Sequence, residues 1–171
     1  MHAYRAWPFL SDPRHVLLSA LWAVLMHGTL SVLVLVPILR RSESPVRYGA
    51  LAAMLGVALD LDHALAAQSL KPHALEQLPE RPATHSLLAA AMLAVLAWTL
   101  LESPLVGWCV LAVLVAHLLP DAAGGSEPWL YPFSSVDSIP WLACPVGLAA
   151  LFGASRLLAG RALPRARLGG A

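Results

Sequence analysis

Val16 to Leu39 reads VLLSALWAVLMHGTLSVLVLVPIL, 24 residues without a formal charge. As an α-helix this run measures about 36 Å at roughly 1.5 Å per residue, enough to cross a hydrocarbon layer about 30 Å thick. It is too long for a signal-peptide core, and no A-x-A-like cleavage site follows it. It therefore reads as an uncleaved span, with residues 1–15 as an interfacial lead-in.

Further apolar runs follow. Val46 to Leu70 is interrupted late by Asp60-Leu61-Asp62-His63, Ser86 to Leu101 and Pro104 to Leu119 are joined only by Glu102-Ser103, and Ile139 to Gly160 closes the series. The whole chain agrees: of 171 residues, 58% are hydrophobic and 12% charged, with a mean hydropathy of +0.69. These are not the figures of a water-soluble, disordered or disulfide-scaffold protein. The expected fold is all-α, a polytopic membrane bundle of about five spans (four to five). Residues 16–160 form one transmembrane domain and residues 161–171 a basic flexible tail. Trp98 and Trp108 flank the tight hairpin at one interface, and Trp129, Tyr131 and Trp141 mark the other. A net charge of +1 leaves no electrostatic footprint for a nucleic-acid partner. Cys109 and Cys144 lie in apolar runs without ligand spacing and read as packing residues.

An ionisable residue at membrane depth commonly costs ~2.5–3.5 kcal/mol or more, so it should meet a partner, a cavity or a metal. Four such residues share one level. Counting along helices from the first-loop side, His27 is about 18 Å deep, Asp60 about 21 Å, His85 about 24 Å and His117 about 20 Å. With alternating helices, Asp60, Asp62, His85, His117 and Asp121 gather toward the opposite face, just below an interface. His117 and Asp121 share a face if the helix runs on through Pro120. Asp60 and Asp62 lie about 200° apart on an unbroken helix, so either the helix ends near Asp60 or only one carboxylate enters. Imidazole with carboxylate suits Zn, Mn or Fe, as one or two divalent ions. Each residue also has a plainer reading: His27 pairing with a carbonyl or Ser31, the aspartates ending helices, and Thr84 or Ser86 capping the third span.

Four segments then carry a resemblance. Met26-His27-Gly28-Thr29, Leu59-Asp60-Leu61-Asp62-His63, Ala83-Thr84-His85-Ser86-Leu87-Leu88 and Ala116-His117-Leu118-Leu119-Pro120-Asp121 resemble the successive motifs of the LexA-regulated, inner-membrane-associated metal-dependent hydrolases. Trp129 to Ser134 is similar to the aromatic-Pro-Phe-Ser stretch that follows in that family. The sequence departs from the pattern at Ala58-Leu59, where Leu-Pro is frequent, at Arg81-Pro82-Ala83, where His-Arg-Gly is common, and at Pro120, where leucine is usual. The resemblance implies a multi-pass protein of the inner (plasma) membrane that hydrolyses its substrate with a bound metal.

Together these readings predict a metal-dependent hydrolase acting on a membrane lipid or lipid-linked phosphoester near the interface. The metal ligands would come from His27, Asp60, Asp62, His85, His117 and Asp121. Asp62 or Asp121 would be the catalytic base, with His63, Thr84 and Ser86 in support. One alternative is a metal-independent lipid phosphate phosphatase with a histidine nucleophile, faintly suggested by Lys71, Arg81-Pro82, His85 and His117-x3-Asp121. Another is a metal or proton pathway, where an oligomer could supply further helices, or a haem held between His27 and His117. Seven arginines on the side of the first loop, third loop and tail, against four basic residues opposite, favour a cytoplasmic tail and a site facing outward. Pro120 to Ser138, with Gly124-Gly125 and three aromatics, is expected to cover the site.

Overall fold

A computed structural model describes residues 13–68, 82–124, 129–133 and 138–162. The N-terminal lead-in to residue 12, Lys71, Arg81, Ser134 and the tail from residue 163 lie outside the described residues. The described residues form six helices: α1 (Pro13–Leu39), α2 (Pro45–Ala58), α3 (Leu61–Ala67), α4 (Leu87–Leu101), α5 (Pro104–Gly124) and α6 (Ala143–Ala162). The protein is all-α, as its apolar runs predict. The stretches Ala20–Leu39, Pro104–Gly124 and Ala143–Arg161 are long and apolar enough to cross a membrane. The shorter α4 is equally apolar in character.

Helix α5 is the axis of the bundle, packing against α1, α2, α4 and α6. Small residues make this possible, because Ala112 and Ala116 present almost no bulk and are fully buried. Around them Val34, Leu35, Ile38, Leu39, Ala52, Val113 and Ala159 close the main apolar core. Leucines and valines on the outer faces remain exposed, Leu25, Met92 and Leu157 among them. An apolar exterior around an equally apolar interior is the distribution expected where lipid is the solvent.

The α4–α5 hairpin turns at Glu102, whose left-handed backbone (φ 49°) ends α4. Beyond it, Gly107 lets the two helices touch: a Cβ there would stand 2.8 Å from the Cβ of Trp98. Trp108 has an apolar body in the core, and its indole N–H donates to Ser155 Oγ at 3.0 Å, tying α5 to α6.

Two boundaries differ from the sequence reading in ways that matter to the site. The second apolar run is not one helix: α2 stops at Ala58, Leu59 and Asp60 form a turn, and α3 restarts at Leu61. The fourth run continues past Leu119 through Pro120 to Gly124. Pro120 lacks an N–H and so forfeits one helical hydrogen bond without stopping the helix. As a result Pro120 to Gly124 belong to α5 and not to a covering loop. The last helix starts at Ala143, after a turn at Trp141 and Leu142.

Candidate metal centre

At the end of the bundle away from the first loop, five elements deliver polar groups to one place. Helix α1 brings His27, the α2–α3 break brings Asp60, α3 brings Asp62 and His63, the turn before α4 brings His85, and α5 brings His117 and Asp121. His27, His85 and His117 are at most 2% exposed. The turn at Asp60 resolves the geometric difficulty of the Asp-x-Asp spacing, since the change of direction lets both carboxylates face inward.

His117 is held from behind. Its Nδ1 lies 2.6 Å from the carbonyl oxygen of Gly56, a group that can only accept, so Nδ1 carries the proton and donates it. In the neutral ring that leaves a lone pair on Nε2, which points into the cluster. His85 repeats the arrangement: its Nδ1 lies 2.8 Å from Asp62 Oδ2, which also accepts a hydrogen bond from the Thr84 hydroxyl. A carbonyl or carboxylate behind each imidazole is the outer support that fixes the tautomer of metal-ligating histidines.

The inward-facing atoms crowd together. His117 Nε2 lies 3.3 Å from His85 Nε2, 3.5 Å from Asp60 Oδ1 and 3.4 Å from Asp121 Oδ2. His27 sits between two carboxylates, Nδ1 at 3.3 Å from Asp60 Oδ2 and Nε2 at 3.2 Å from Asp121 Oδ1. On the other side of Asp60, Oδ1 is 3.8 Å from both His63 Nδ1 and His85 Nε2. Two donor sets of metal-binding dimensions result, His27–Asp60–His117–Asp121 and Asp60–His63–His85, each with ligand atoms within 4.8 Å of one another. Asp60 belongs to both. Its side chain is also the most exposed of the three aspartates, at 27% against 16% for Asp62 and 13% for Asp121, so the way in passes over it.

The chemistry of this set fits a divalent transition metal. Three carboxylates carry up to three negative charges into a poorly solvated region, and the His85 and His117 rings, each with Nδ1 against an acceptor, aim their Nε2 lone pairs at the same point. Such a convergence of acceptors repels itself unless cations compensate it. The donors are nitrogen and oxygen only, for Cys109 and Cys144 pack in apolar clusters elsewhere. That composition suits zinc, manganese or iron.

The remaining site residues fall out as follows. Ser31, a candidate partner for the His27 ring, donates to the His27 backbone carbonyl at 2.7 Å, leaving the ring to the carboxylates. Ser86 is the N-cap of α4, accepting from the Ala89 N–H at 3.2 Å and donating to the Ala83 carbonyl. Asp62 stands one step outward from both donor sets, bound to His85 and Thr84. His63 lies further in than a supporting role requires, stacked on His85 with ring centroids 4.5 Å apart. Gly56 went unremarked in the sequence. Its carbonyl orients His117, and its missing side chain admits Ser31 so closely that a Cβ would stand 2.0 Å from Ser31 Oγ. A small residue one turn before Asp60 was the available signal. The haem alternative fails on geometry: the His27 and His117 rings are 3.9 Å apart, which leaves no space for a porphyrin between them.

Of the expected cover, residues 129–133 are described, and 125–128 and 134–137 lie outside the described residues. The Trp129 carbonyl accepts from the Leu87 N–H at 2.8 Å, which ties this segment to the first turn of α4, two residues from His85.

A bundle of apolar helices with a buried histidine–aspartate centre near one end defines a polytopic membrane protein with a candidate metal site. The chain belongs to the YdjM inner membrane protein family, whose model matches residues 12–168. Comparison with curated proteins and with solved structures returned no match. The protein is accordingly an inner-membrane protein, which bears out the membrane part of the resemblance drawn from its motifs.

Proposed function

We propose that this protein is a metal-dependent hydrolase of a lipid or lipid-linked phosphoester. The observation that carries the reading is the sharing of Asp60, the most exposed of the three aspartates, between two donor sets. A divalent ion bound there supplies Lewis-acid polarisation of a phosphoryl oxygen and brings the pKa of water toward neutrality.

The chain's own residues take the other roles. Asp62 Oδ2 is occupied by His85 and Thr84, whereas Oδ1 is buried and has no hydrogen-bond partner among the described residues. That oxygen is the candidate base, taking a proton from the attacking water as the water oxygen bonds to phosphorus. The phosphorus–oxygen bond to the lipid alcohol then breaks, and the leaving oxygen takes up the proton that Asp62 had accepted. Thr84 and His85 fix the carboxylate so that Oδ1 faces the reaction.

Depth supports a lipid substrate. His27 lies 12 residues from the end of α1 and His117 13 residues from the start of α5. These are about 18 and 20 Å along the helices, inside a hydrocarbon layer about 30 Å thick, so a substrate must reach into the membrane to meet the site. The other readings have less support. His85 and His117 are fully buried and their Nε2 atoms face each other at 3.3 Å, which is unfavourable for a histidine nucleophile. Below the site, Val34, Leu35, Ile38, Ala112 and Val113 fill the interior, which is unfavourable for a proton or ion path.

The test is release of phosphate or headgroup from mixed phospholipids and polyprenyl phosphates by purified protein, with and without chelator. Chelator-sensitive release lost in His85→Ala is expected. Chelator-resistant release lost in His117→Ala would move support to the histidine-nucleophile phosphatase.

A further inference from the structure

The opposite end of the bundle holds a second polar site. Where α1 and α6 end side by side, a cavity of about 350 Å³ opens between them, with Arg40, Arg41 and Arg156 around it and Val36, Phe152 and Ala159 among its apolar walls. No carboxylate lines it, and none of the three arginines forms an ion pair among the described residues. Arg41 is fixed, because its Nη1 donates to the carbonyl of Ala159 across the helix interface. That bond uses one of five guanidinium N–H groups and sets the level at which α1 and α6 meet. Arg40 and Arg156 are exposed.

The charge balance is decisive. The C-termini of α1 and α6 border the cavity, contributing about half a negative charge each, while the arginines contribute three positive charges. The cavity therefore keeps a clear positive excess. It also lies at the membrane boundary, since Leu39 and Ala162 end their helices there and the exposed leucines and valines of α1 and α6 continue below it. A phosphate of either a free anion or a lipid would meet the guanidinium groups, but only a lipid also places apolar chains against Val36 and Phe152.

We infer that this cavity binds the phosphate headgroup of an anionic phospholipid of the leaflet opposite the metal centre, with its acyl chains lying on the α1–α6 seam. Arg40 and Arg156 hold the headgroup, and Arg41 is the fixed element between them. Basic pockets between helices at the cytoplasmic face suit such lipids. The site is separate from the hydrolytic reading and stands without it.

The experiment follows thermal unfolding of the full chain in phosphatidylcholine micelles as phosphatidylglycerol is titrated in. Phosphatidylglycerol should raise the unfolding temperature saturably, and added phosphatidylcholine should not. Arg40→Gln/Arg156→Gln should weaken half-saturation about tenfold or more, because the guanidinium groups that meet the headgroup in the cavity are lost. Arg47→Gln/Arg161→Gln removes the same charge from the same side outside the cavity, and should change it by about twofold at most. Arg156→Gln alone should give an intermediate loss, so the result does not hang on the double variant's folding. Equal weakening in the two double variants would overturn the inference in favour of diffuse attraction. So would a full shift with phosphatidylcholine, or with glycerol phosphate or inorganic phosphate alone.

Discussion

His117 and His85 face each other through their Nε2 atoms at 3.3 Å, each with its Nδ1 anchored to a fixed acceptor, the Gly56 carbonyl and the Asp62 carboxylate. Two imidazoles braced from behind and aimed at a common point with Asp60 form an arrangement that a shared cation stabilises and neutral side chains alone do not.

The braces can be tested separately from the ligands. Asp62→Asn keeps an oxygen that can accept from His85 but removes the carboxylate charge, so it should lose far more hydrolytic rate than metal. A fall on the order of a hundredfold in rate is the scale of a lost general base. Metal content and lipid phosphate release measured on the same sample would show it; parallel loss of both would make Asp62 a ligand.

Gly56 is predicted to be intolerant of a methyl group. A Cβ there would meet Ser31 Oγ at 2.0 Å, Ser31 Cβ at 2.9 Å and the His27 carbonyl at 3.2 Å. Relief requires α1 and α2 to separate, which overpacking commonly penalises by about 1–3 kcal/mol. Gly56→Ala should lower the unfolding temperature in detergent, and Ser31→Gly should recover part of that loss in the double variant. A purely additive double-mutant cycle would show that the two residues do not press on each other.

The Trp108–Ser155 bond should matter to stability and not to metal. Ser155→Ala leaves a largely buried indole N–H without its acceptor, a loss of about 1 kcal/mol for hydrogen bonds inside membrane bundles. Thermal unfolding should fall modestly, with metal content at the wild-type level.

Much of this was legible from spacing alone. The charge-free run from Val16 to Leu39 and the two-residue turn at Glu102-Ser103 are local signals, and helices answer to them. The shared depth of His27, Asp60, His85 and His117 followed from counting residues at a fixed rise. What spacing does not encode is rotation: whether Asp60 and Asp62 could both point inward depended on a turn stabilised by tertiary contacts. The same holds at Pro120, where packing of the neighbouring Leu119 and Ala122 against α6 accompanies a helix that runs on and carries Asp121 onto the His117 face. Gly56 acts through its carbonyl and its missing side chain, of which only the small size shows in the sequence, and His63 became central only because the turn at Asp60 brings it under His85.

The most direct test of a metal centre is the metal-to-protein ratio of detergent-purified protein, determined by elemental analysis for wild type and for His117→Ala, His85→Ala and Asp60→Asn. Wild type should carry one or two equivalents of zinc, manganese or iron. Each histidine variant should carry clearly less, and Asp60→Asn, which strikes both donor sets, the least. Wild-type protein free of transition metal after purification and after reconstitution with each of the three ions, or variants that retain the full wild-type content, would contradict the account.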